Sequence, residues 1–182
     1  MARTASAKRG ARGSRGADAS LASVLGGLGS QVKGTKVRKP SFIPPNGLHC
    51  VRYTGLTTKT MMDKNTGDEY TLFIVNFVVE EGDDAGREFA VLQDSKGIIV
   101  TDKETGDEVD FFPGILFIKT LGSFIAQIFG EDTDIVDDEN ELARLLEEGG
   151  ASGDVKIMLE VGESKSAKTG KTYPRWTLKR PA

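Results

Sequence analysis

The chain has 182 residues, 38% apolar and 28% charged, with a formal net charge of −3. That length fits one domain with tail to spare, and the composition can bury a core. No apolar run approaches the ~18 residues of a membrane-spanning helix, and no apolar segment follows the basic N-terminus as a secretory signal requires. A single cysteine, Cys50, and a single histidine, His49, leave no internal disulfide and no His/Cys zinc site, a pattern suited to a reducing cytosol.

The small net charge hides strong blocks. Residues 1–39 carry nine bases and one acid, a net of +8, and the remainder fifteen bases and twenty-six acids, a net of −11. Within that remainder, residues 131–148 hold nine acids and one base, and residues 154–182 seven bases and three acids. Salt screening over about 8–10 Å makes each block act separately.

Residues 1–40 are dominated by Ala, Gly, Ser, Arg and Lys, and glycines interrupt the apolar stretch Leu21 to Leu28. Too little can be buried to hold such a segment, so a disordered basic arm is expected. Pro40, Pro44 and Pro45 then stiffen the entry to a single domain over residues 41–182. Leu48 to Met62 reads as a strand, residues 63–68 as a turn around Gly67, and Tyr70 to Glu80 as the strongest strand, apolar on both parities. Arg87 to Gln93 is the third strand. A second turn, DKETGDEV against the earlier DKNTGDEY, marks a minor hairpin with the same loop chemistry. In Phe112 to Phe129, Phe117, Leu121, Phe124, Ile125 and Ile128 recur at helical spacing; a short helix follows at Glu139 to Glu148, stopped by Gly149 and Gly150. The chain closes on a hairpin in which Val155, Ile157, Leu159 and Val161 alternate with polar positions, and Trp176 shares a parity with Leu178. The expected fold is therefore mainly β. Five principal strands with a helix between the third and fourth give the order of the OB-fold, a small partly open barrel.

The body also resembles the OB-fold single-stranded DNA-binding proteins of bacteriophages. The likeness rests on the first hairpin, YTGLTTKTMMDKNTGDEYTLFIVNFVVEEGDDAGREF, and on the last, VKIMLEVGESKSAKTGKTYPRWTLKR, about two-thirds of the chain. It implies a protein of the bacterial host's cytoplasm that protects exposed strands during phage replication or recombination. Single-stranded DNA is the implied partner, with RNA, replication or recombination proteins and a second copy of the chain as further candidates. Many cellular members end in an acidic recruiting tail, whereas this chain ends Lys179-Arg180-Pro181-Ala182 and carries its acid block internally.

Sequence-independent binding of single strands needs cations along the phosphates and aromatic faces for the bases. The last hairpin offers Lys165, Lys168 and Lys171 at its turn, then Tyr173, Arg175 and Lys179 on one parity of its second strand. Lysines in a turn equally serve solubility. Trp176 is assigned to the core by its parity, with a stacking place on the rim as the alternative. Arg52, Tyr53 and Lys59 are candidates from the first strand, and Arg87 for either a phosphate contact or a salt bridge. Phe73 and Phe77 belong inside. Phosphate-binding glycine loops, the dinucleotide fingerprint and the nucleophile elbow are all absent, His49 has no evident partner, and the acidic block lacks the glycine and closing glutamate of a calcium loop. The expectation is a non-catalytic binder without cofactor or metal. The alternative is an OB-like interaction module of a virion or replisome, tethered by the arm.

Overall fold

A computed structural model describes residues 42–166 and 170–182. The predicted arm and Lys168 lie outside the described residues.

Among the described residues, seven strands and two α-helices follow in order: β1 (Gly47–Met62), β2 (Glu69–Val79), β3 (Glu88–Asp94), β4 (Ile98–Thr101), β5 (Glu108–Phe111), α1 (Pro113–Phe129), α2 (Glu139–Ser152), β6 (Lys156–Lys165) and β7 (Thr172–Pro181). A 3₁₀ turn, Thr133–Asp137, links the helices. Five strands form one antiparallel sheet in the order β3-β2-β1-β6-β7, and β4 and β5 pair separately.

Alternation builds the inner face. Thr71, Phe73, Val75, Phe77 and Val79 share one parity of β2 and are all buried. Val51 and Tyr53 of β1 oppose Val79 and Phe77. The register then slips at Thr54, where Gly55 adopts φ +142°, a conformation glycine tolerates best. Beyond this bulge Leu56 opposes Val75 and packs on the same core. Ile157, Leu159 and Val161 of β6 and Leu178 of β7 complete it.

The helix α1 matches its predicted span. Pro113 starts it, and Phe117, Ile118, Leu121 and Ile125 face the core. The second helix departs from expectation. Instead of stopping at Gly149 and Gly150, α2 runs through both to Ser152 and ends at Gly153, whose φ is +72°. The two glycines serve packing. A Cβ on Gly149 would lie 3.0 Å from the Ile125 side chain, and one on Gly150 would lie 2.9 Å from the Gly55 backbone at the bulge. Asp138 caps the start, accepting from the Asn140 and Glu141 amides at 2.8 and 3.1 Å.

Gly150→Ala therefore sets two effects against each other. Alanine gains up to about 1 kcal/mol of helix propensity, whereas backbone overlap costs about 1–3 kcal/mol because neither backbone yields easily. A net loss of about 1 kcal/mol or more is expected by urea unfolding. A stabilised variant would place α2 farther from β1.

Candidate nucleic-acid interface

On β7, Trp176 opposes Val161 and Leu178 opposes Leu159, both on the inner side, whereas Tyr173, Arg175 and Thr177 oppose Ser164, Gly162 and Glu160 on the outer side. A register slip between Met158 and Leu159 makes Lys179 the unpaired residue of β7. The alternation read from the sequence is therefore the one observed. The Trp176 ring stacks on Phe89 of β3, with centroids 5.6 Å apart at 19°, and Phe89 stacks in turn on Phe77 at 5.7 Å. Edge strands β3 and β7 are thus bridged by an aromatic pair.

Beside that bridge lies a cleft of about 480 Å³. Leu92 and Gln93 line it from β3, residues 173–176 from β7, and Pro113, Phe117 and Ile43 close the remaining side. Tyr173 is half exposed at 51%. Arg175 lies across Gly162, its guanidine nitrogens 3.8 Å from where a Cβ would sit. No carboxylate among the described residues forms an ion pair with Arg175; nearby Glu160 pairs with Lys179 at 2.8 Å. That ion pair holds the Glu160 carboxyl below the usual carboxylate range.

The cleft thus gathers Tyr173, Arg175 and Trp176, with Lys165 and Lys171 exposed at the open end of the same hairpin. Lys59 is exposed on β1 beside Leu72 of β2, which itself pairs with Asp94 of β3. Two strand spacings, about 10 Å, separate it from β3.

Three other candidates are placed differently. Tyr53 is fully buried, its hydroxyl donating to the Leu146 carbonyl at 3.0 Å, and burial pushes the phenol pKa up. It holds α2 to the sheet and is withdrawn from any stacking role, a correction to its placement in a groove. Arg52 donates to Glu80 at 2.7 Å, and Lys156 takes the other oxygen at 3.0 Å, which holds the Glu80 carboxyl below its ordinary range. Arg87 realises its salt-bridge alternative, with Asp84 at 2.8 Å, while its guanidinium sits 3.7 Å above the Phe42 ring. Together with Lys179, these cations are already matched within the fold.

No family model, curated protein or solved structure matches the chain.

Sequence reasoning missed Ile43, Leu92, Gln93 and Pro174. Leu92 left a signal: with Phe89 and Val91 buried, it is a large apolar side chain on the outward parity of β3, 41% exposed. Gln93 brings an amide that both donates and accepts, and no described residue hydrogen-bonds to it. Chemically, the cleft offers an apolar slot for a flat ring, an amide at its edge and a guanidinium at its mouth. Among the described residues, no group of three or more His, Cys, Asp or Glu is placed to hold a metal ion, and no helix is long and apolar enough to cross a membrane.

Proposed function

We propose that the chain is a non-catalytic, OB-type single-stranded DNA-binding protein of a phage replication or recombination system, coating exposed strands and shielding them from nucleases. The observation that carries this reading is the cleft between β3 and β7, where an exposed tyrosine and an arginine that forms no ion pair with a described carboxylate flank an apolar slot. Bases stack on the aromatic faces and phosphates meet Arg175 and the hairpin lysines; each stacked base contributes about 1–3 kcal/mol. The OB assignment is supported by the sheet order, by a long first strand shared between β2 and β6, by helices inserted between β3 and β6, and by the Phe89–Trp176 bridge between the sheet edges. Duplex DNA keeps its bases stacked inside, out of reach of the slot. The protein is therefore expected to bind a labelled single-stranded oligonucleotide at least tenfold tighter than its duplex, by fluorescence anisotropy. Equal affinities would reduce the mechanism to a polycation effect.

The second reading, an interaction module of a virion or replisome, is favoured by one observation. Outside residues 1–39 the chain carries a net charge of −11, and Arg52, Arg87 and Lys179 are neutralised internally. Failure to bind either form of DNA in the same titration would select it.

A further inference from the structure

The β4–β5 ribbon is a surface that the binding site does not use. Ile98 opposes Phe111 and Val100 opposes Val109, so all four side chains share one face. Three of them are well exposed: Ile98 at 50%, Val109 at 42% and Phe111 at 37%. An isolated two-stranded hairpin is at best marginal in water, and neither of these strands pairs with the main sheet. The ribbon is also acidic. Residues 98–111 carry Asp102, Glu104, Asp107, Glu108 and Asp110 against Lys103, a net of −4, and none of these acids forms an ion pair with a described residue.

A surface that covers this face has to be apolar with cations beside it. A second ribbon fails, because it sets −4 against −4. The cleft between β3 and β7 fits. Leu92 and Tyr173 expose apolar surface there, and Lys165, Lys171 and Arg175 stand against one acid, Glu163, a net of +2. The two surfaces are neighbours in the fold. Pro113 lines the cleft two residues beyond the end of β5. At the base of the ribbon the Phe112 ring packs on Gly97, where a Cβ would lie 2.5 Å from it. Yet no residue of 98–111 lines the cleft of its own chain. Placed side by side on one molecule, the two complementary surfaces meet those of another copy reciprocally about a two-fold axis, the commonest symmetry of an oligomer. We propose that two copies of the chain form a two-fold dimer in which the ribbon of each covers the cleft of the other. Ile98, Val109 and Phe111 face Leu92 and Tyr173, and the ribbon acids face Lys165, Lys171 and Arg175. On the reading of the cleft as a single-strand site, which this consequence alone rests on, DNA competes with the ribbon and the dimer regulates access.

The test is sedimentation velocity of the full chain at low salt, over a range of concentrations and without DNA. A monomer–dimer equilibrium is expected. Glu104→Lys, Glu108→Lys and Asp110→Lys together are expected to weaken it about tenfold or more, and so are Lys165→Glu, Lys171→Glu and Arg175→Glu together. Combining the two sets restores opposite charges across the contact and is expected to recover the dimer, which also shows that the variants fold. The apolar face has its own control. Phe111→Ser is expected to weaken the dimer about tenfold or more, whereas Ile99→Ser, on the opposite face of the ribbon, leaves it unchanged. A monomer at every concentration, indifference to the hairpin charges, or a combined variant that stays monomeric would each overturn the proposal. A protein that dimerises as described and yet binds no oligonucleotide sustains the interface and overturns only the reading of the cleft.

Discussion

Trp176→Ala is expected to lower stability by about 3 kcal/mol, the low end of the range for removing a large core aromatic. The ring is only part-buried, because one side of it lines the cleft, and this argues against the upper end. Three losses combine. The indole gives up its stack on Phe89, it no longer covers the Phe77 and Phe89 pair beneath, and the bridge between β3 and β7 opens. At this size of domain, 3 kcal/mol corresponds to a fall in Tm of roughly 6–12 °C, readily measured by circular dichroism. Trp176→Phe keeps a ring against Phe89 and is expected to recover most of the loss. An alanine variant with unchanged Tm and lost oligonucleotide binding would reverse the assignment, making the indole a stacking platform.

The sequence made the strands legible wherever alternation was regular. The last hairpin is the clearest case, since Val161, Leu159 and Leu178 fixed which parity of β7 faces inward. Tyr53 was misread because it was taken as a groove candidate from its residue type, whereas it shares the inward parity of Val51, and the α2 carbonyl its hydroxyl meets belongs to tertiary structure. Gly149 and Gly150 misled for a related reason. Glycine ends helices, but it also lets a helix approach closely, and only the partner surface decides between the two. Charges were least legible. Sequence counts Arg52, Arg87 and Lys179 as cations, whereas the fold spends each on a carboxylate brought near by strand pairing or a loop. The cleft was out of reach for the same reason. It is lined from both edges of the sheet, whose strands lie some eighty residues apart in the chain.

Tyr173→Ala is expected to weaken binding of a single-stranded oligonucleotide by about 1–3 kcal/mol, five- to 150-fold in Kd, with little change in Tm. The phenol is on the outer parity of β7 and half exposed, so its removal leaves no cavity in the core. Tyr173→Phe is expected to bind nearly as well as the original, because the ring face rather than the hydroxyl carries the stack. Arg175→Ala tests the other half of the site. Losing one phosphate contact is expected to reduce the slope of log K against log salt by about 0.7, a change Tyr173→Ala does not produce. Measuring both variants at several salt concentrations by fluorescence anisotropy therefore separates stacking from charge. If Tyr173→Ala and Arg175→Ala both bind as tightly as the original, the strand does not pass over the cleft, and its path has to be sought along the outer face of β1 and β2, where Lys59 stands beside Leu72.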